Sequence, residues 1–98
     1  MIENVELYKD TKIQLKHMSI DKDTPMNRWM RAGARYVLDN EIQLINTPQD
    51  DDYATYTMDI TSDLKEEIVS YVKMQDAKIR DFWVTVSETI IKYPGEFE

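Results

Sequence analysis

The chain has 98 residues, a formal charge of −7 and no cysteine. Without cysteine there are no disulfides and no thiol chemistry, and no run of about 18 apolar residues marks a membrane helix. The charge is uneven: residues 1–39 hold seven Lys/Arg against six Asp/Glu, and residues 40–98 hold five against thirteen. The 42% apolar content suits one compact core. The start, Met-Ile-Glu-Asn-Val-Glu, lacks the basic and apolar regions of a signal peptide, so the expected compartment is the cytoplasm.

In residues 2–7, Val5 and Leu7 alternate with Asn4 and Glu6, a short half-buried strand pattern. Tyr8–Asp21 follows without Gly or Pro and reads as a helix. One of its faces carries Thr11, Leu15, Met18 and Ser19, and another carries Ile13, His17 and Ile20. Two stripes on one helix predict that it is covered on two sides. Asp21-Lys22-Asp23 closes it. Thr24 is the expected N-cap of the next helix, with Pro25 as its first residue. Met26, Trp29, Met30, Gly33 and Val37 form one face of that helix, and Arg28, Arg31 and Arg35 form a basic edge. The helix runs to about Asp39 or Asn40; Glu41–Ile45 either extends it or peels away.

Asn46-Thr47-Pro48-Gln49 followed by Asp50-Asp51-Asp52 is the clearest break and reads as an exposed linker. Tyr53–Ile60 is the best strand, with Tyr56, Met58 and Ile60 on one side and Thr55, Thr57 and Asp59 on the other. Thr61-Ser62-Asp63 starts a helix whose buried stripe is Leu64, Ile68, Tyr71 and Val72. Gln75-Asp76-Ala77 is a turn. Lys78–Tyr93 is the last helix, stopped by Pro94-Gly95, and the final three residues are expected to fray or dock loosely.

Few residues suggest catalysis or metal binding. His17 is the only histidine and reads as a partly buried helix residue, and Asp50–Asp52 lacks the glycine and distant glutamate of a calcium loop. Gly33 and Gly95 are the only glycines, so no phosphate-cradling loop exists. The expectation is a protein that is not an enzyme and takes no cofactor or metal. The two tryptophans fall on the apolar helix faces and read as core.

A shift of 53 residues superimposes the pattern on itself. Val5 and Leu7 fall on Met58 and Ile60, and Thr11, Leu15 and Met18 on Leu64, Ile68 and Tyr71. Asp23 falls on Asp76, and Met26, Trp29, Met30 and Val37 on Ile79, Phe82, Trp83 and Ile90. A strand–helix–helix unit cannot bury its own apolar face, so two copies packed together are the natural solution. The expected fold is therefore α+β and mostly helical, with residues 1–45 as a first unit, 46–52 as an acidic linker and 53–98 as a second unit, all in one compact domain. An unrelated α+β or all-helical domain is the alternative if the repeat is accidental.

The segment Asp23-Thr24-Pro25-Met26-Asn27-Arg28-Trp29-Met30-Arg31 resembles the turn and second-helix start of the ribbon-helix-helix family, the fold of the Arc and methionine repressors. Thr61-Ser62-Asp63-Leu64 resembles that family's first-helix start. The resemblance implies a single-chain ribbon-helix-helix pseudo-dimer, and a DNA-binding regulator of transcriptional, plasmid or phage type. It implies base reading by Asn4, Glu6, Thr55, Thr57 and Asp59 from a ribbon in the major groove. It also implies phosphate contacts at the second-helix starts, through Thr24, Met26 and Asn27 in one half and Lys78 and Arg80 in the other. Glu6 and Asp59 depart from the family's usual Arg, Lys, Gln, Asn or Thr. The second functional reading is an acidic protein-binding module or DNA mimic. It would occupy a basic protein through Asp50, Asp51, Asp52, Asp59, Asp63, Glu66 and Glu67. Duplex DNA or a basic protein is thus the expected partner, with no membrane and a possible homo-oligomer.

Overall fold

The structure, a computed structural model, describes residues 1–97. Strand β1 (Ile2–Tyr8) leads into helices α1 (Lys9–Asp21) and α2 (Met26–Asp39). An irregular segment then reaches strand β2 (Tyr53–Asp59), followed by helices α3 (Ser62–Met74) and α4 (Ile79–Lys92) and a 3-10 turn, Pro94–Phe97. The two strands pair antiparallel over their whole length, with Ile2 opposite Asp59 and Tyr8 opposite Tyr53. Strand alternation decides which side is covered. Val5, Leu7 and Met58 are buried against the helices, while Asn4, Glu6, Thr55 and Thr57 are exposed on the far side.

Each helix pair turns on a left-handed aspartate. Asp23 (φ 49°) separates α1 from α2, and Asp76 (φ 51°) separates α3 from α4. Asp tolerates this region better than most residues, because its short polar side chain can hydrogen-bond the local backbone. The reversal lets the Thr24 N–H reach the Ser19 carbonyl, and the Ala77 N–H the Val72 carbonyl, each at 3.0 Å. Thr24 is therefore not a cap: its hydroxyl donates to the Lys22 carbonyl, Pro25 stands at the N-cap, and Met26 is the first helical residue. Thr61 does cap α3, its hydroxyl accepting from the Leu64 N–H at 3.1 Å. Thr61→Ala is expected to lower stability by about 1 kcal/mol, read as a fall in the urea midpoint at unchanged slope.

Helix α4 fills the centre. Phe82, Trp83, Val84, Val86 and Ile90 are buried, and α1, α2, α3 and β1 all pack on it. Being covered on nearly all sides, it must satisfy its own polar side chains. Thr85 and Thr89 donate to the carbonyls four residues back, and Ser87 to the carbonyl three back. Helix α2 meets it at Gly33, where the missing side chain lets Val86 and Ile90 approach. Trp29 and Trp83 are each 1% exposed and belong to the core.

The expected pair of strand–helix–helix units, packed as a single-chain ribbon-helix-helix pseudo-dimer, is corrected. Among the described residues there is one two-stranded sheet, with four helices about one core. The two strands pair only with each other and all four helices share that one core, so the described residues form a single arrangement and not two tandem units. The halves are also unlike: α4 is enclosed, whereas its counterpart α2 keeps an exposed edge at Arg28, Arg31 and Arg35. The pattern shift compared apolar faces and could not register that α4 is buried on its polar side as well. What the structure shows is an α+β, mostly helical body in which, among the described residues, no helix is long and apolar enough to cross a membrane.

Two smaller expectations also change, and one open alternative is decided. The second stripe of α1 is uncovered: Ile13 is 48% and Ile20 70% exposed, and His17 is exposed rather than partly buried. The 46–52 stretch is not an exposed linker throughout, because Thr47 is 3% exposed and docks on α4. Glu41–Ile45 leaves the helix after left-handed Glu41, and Leu44 drops back into the core. At the C-terminal end, Phe97 packs edge-on against Tyr36; Glu98, the last of the three residues expected to fray, lies outside the described residues.

Candidate nucleic-acid interface

The outward row of the ribbon is polar because the inward row takes the apolar residues. It runs as cross-strand pairs from Asp59–Ile2 through Thr57–Asn4 and Thr55–Glu6 to Tyr53–Tyr8. Asn4 accepts a 2.9 Å hydrogen bond from the Thr57 hydroxyl, which fixes both side chains at the middle of the face. Tyr8 and Tyr53 stack at 5.6 Å and close one end. All five residues expected to read bases are thus exposed on one surface.

Glu6 and Asp59 are each met by a cation that comes from outside the ribbon. Asp59 lies 2.8 Å from the Met1 ammonium, which holds its carboxyl below the usual range. Arg80, from the start of α4, lies 3.9 Å from Glu6 and stacks over the Tyr53 ring at 4.3 Å. Lys12 of α1 donates to the Thr55 carbonyl at 2.8 Å, and Lys65 of α3 pairs with Glu3 at 2.6 Å. The strands contain no Lys or Arg, yet cationic side chains reach them from both flanks.

The two second-helix starts differ. At α2, Asn27 accepts a hydrogen bond from the Tyr56 hydroxyl, whose titration is pushed up by burial. This contact ties the helix terminus to β2. Thr24 and Met26 are partly exposed beside it, and Arg28 and Arg31 project into solvent with no ion pair among the described residues. Asn27, Arg28 and Arg31 line one hollow, and Arg31 lines a second with Met1 and Asp59 at the ribbon's end.

At α4 the terminus already holds an anion. The buried Asp81 carboxylate accepts from the Lys78 N–H at 2.9 Å, the Thr47 N–H at 3.0 Å and the Thr47 hydroxyl at 2.5 Å. Burial pushes this carboxyl up, but the hydrogen bonds from Thr47 and Lys78 outweigh burial and leave it below the ordinary range. Arg80 is also committed, donating to the Thr47 hydroxyl and lying 3.4 Å from the Pro48 carbonyl. Lys78 stays exposed, with its ammonium 3.4 Å from Asp81. Of the two expected phosphate clamps, only the α2 start has unoccupied cations.

The acidic residues fall into separate groups. Asp51 and Asp52 line a hollow with Tyr8 and Asp10 at one ribbon end, and Asp50 is exposed beside them in sequence. Asp59 stands at the opposite end, about 20 Å away along a seven-residue strand. Asp63, Glu66 and Glu67 line a groove between α2 and α3, where Arg35 pairs with Glu67 at 2.6 Å and with Asp39 at 3.4 Å. Sequence reasoning missed Lys12 and Lys65 as ribbon neighbours. Their spacing of 53 residues was the available signal. It also missed Tyr56, which appeared only as an inward strand residue. Comparison with family models, with curated proteins and with solved structures finds no match for this chain.

Proposed function

We propose that the protein binds duplex DNA by seating its two-stranded ribbon in the major groove, as a small regulator would. The observation that carries this reading is the exposed polar row Asn4–Thr57 and Glu6–Thr55, flanked at the α2 start by the unpaired cations Arg28 and Arg31. A two-stranded ribbon fits a groove about 12 Å wide. Asn4, Thr55 and Thr57 supply both donors and acceptors for base edges, and Glu6 can accept from cytosine N4. The charge of −7 is offset at the ribbon by cations brought from outside the strands, with Arg80 3.9 Å from Glu6 and the Met1 ammonium 2.8 Å from Asp59. The competing acidic-module reading loses support from the same geometry. Its residues divide between two ends of the ribbon and a groove, and do not form one anionic face.

The test is fluorescence anisotropy of labelled duplexes, random and taken from DNA flanking the protein's own coding sequence, over a salt series. With two to four phosphate contacts, the slope of log K against log salt is expected at about −2 to −4. Arg28→Ala with Arg31→Ala should weaken binding to every sequence and reduce that slope by about 2. Asn4→Ala should instead relax preference at one position, by about 1–3 kcal/mol. Failure to bind at low salt would reject the reading and leave a basic protein as the partner to seek.

A further inference from the structure

Ile2 is the aliphatic member of the outward ribbon row: 68% exposed, opposite Asp59, and followed on the same face by Asn4 and Glu6. A single exposed isoleucine is ordinary on a protein surface. Ile2, however, lies on the face through which the ribbon is proposed to meet DNA. It stands at the end where Arg31 lines a hollow with Met1 and Asp59. Arg31 has no ion pair among the described residues, so its guanidinium is available for a phosphate beside that end. The Met1 ammonium, 2.8 Å from Asp59, offsets the carboxylate opposite Ile2.

The chemistry of the side chain selects the base. Isoleucine neither donates nor accepts a hydrogen bond. Set against guanine, adenine or cytosine, it strips water from ring nitrogen, carbonyl or amino groups and offers no partner in return. Thymine alone presents an apolar group in the major groove, its C5 methyl. We propose that Ile2 is a thymine-reading position, packing on that methyl at one end of the ribbon. This inference rests on the DNA reading and adds an order to it. Side chains two residues apart on one strand face are about 6.8 Å apart, which is about two steps of a duplex rising about 3.4 Å per nucleotide. With β1 lying along the groove, the thymine read by Ile2 falls about two base pairs from the base read by Asn4, and about four from the base read by Glu6.

Selection on the intact chain at low salt, from duplexes randomised over about 10 base pairs, one helical turn, supplies the preferred site. Each thymine of that site is then replaced in turn by deoxyuridine, which keeps the base pair and lacks only the methyl. Affinity is read by fluorescence anisotropy. At one position the replacement is expected to weaken binding about 4-fold, the worth of one buried methyl group. Ile2→Ala should bind the thymine and deoxyuridine duplexes almost equally, whereas Ile2→Val, which keeps a branched apolar side chain, should still tell them apart. Ile2 lies outside the core, so neither variant is expected to disturb folding. The sensitive thymine should lie about two base pairs from the position at which Asn4→Ala relaxes preference. A selected site without a methyl-sensitive thymine, or with one whose sensitivity survives in Ile2→Ala, overturns the role of Ile2 and leaves the ribbon reading standing. No enrichment and no binding at low salt rejects the ribbon reading, and the role of Ile2 with it.

Discussion

Asp81→Ala is expected to cost about 3 kcal/mol, a large share of the stability of a domain this size. The carboxylate is 2% exposed and accepts from two backbone N–H groups, Thr47 and Lys78, as well as the Thr47 hydroxyl. Alanine leaves both N–H groups without an acceptor. Asparagine is little better, because its amide NH2 meets a donor where the second carboxylate oxygen now accepts. Loss should spread along a defined path: Thr47 also accepts from Arg80, and Arg80 covers Tyr53 at the end of the ribbon. Amide exchange at Thr47 and Lys78 should therefore rise before exchange in the middle of β2. The pH dependence has a definite sign. Asp81 titrates below its ordinary value, so its contribution is complete above about pH 4 and disappears as pH falls through the lower, folded-state value. The gap between wild type and Asp81→Ala should shrink below about pH 4. A gap that widens with acid would show that the carboxylate is not held charged by these donors.

Gly33→Leu is expected to be at least as damaging. A Cβ at Gly33 would lie 2.8 Å from Ile90 Cδ1 and 2.9 Å from both Ile90 Cγ1 and Val86 Cγ1. Leucine adds three further carbons where α2 and α4 already touch, and a loss above about 3 kcal/mol follows from overpacking. Alanine is the sharper case, since two effects oppose each other. It gains about 1 kcal/mol of helix propensity and loses about 1–3 kcal/mol to the clash. The net expectation is a loss of about 1 kcal/mol, seen as a lower urea midpoint at unchanged slope. An alanine variant more stable than wild type would mean that Ile90 and Val86 yield freely at the helix contact.

Much of the arrangement was legible because one physical rule governed it. Alternation in 2–7 and 53–60 identified the inward and outward residues of both strands, since only one face of the ribbon is covered. The apolar faces of α2 and α4 located both tryptophans in the core. What escaped detection depended on partners distant in sequence. Thr47 sits in a polar string that reads as linker, and its burial comes from an aspartate 34 residues later. The Ile13–Ile20 stripe shows that a face is apolar but not whether anything lies over it. Arg80 looked like a free phosphate ligand, while its donors go to Thr47 and Pro48 and its plane to Tyr53. The repeat was read from apolar positions alone, so it said nothing of the polar side of α4, where the two halves differ most.

The proposed contact with duplex DNA is made by the outward ribbon row together with the α2 start. Amide chemical-shift mapping of 15N-labelled protein, titrated with a duplex from its own flanking DNA, tests this most directly. Shifts are expected to concentrate at Asn4, Glu6, Thr55, Thr57, Asn27 and Arg28, with α3 quiet. Shifts concentrated on Asp63–Met74, or none at all at low salt, would contradict it.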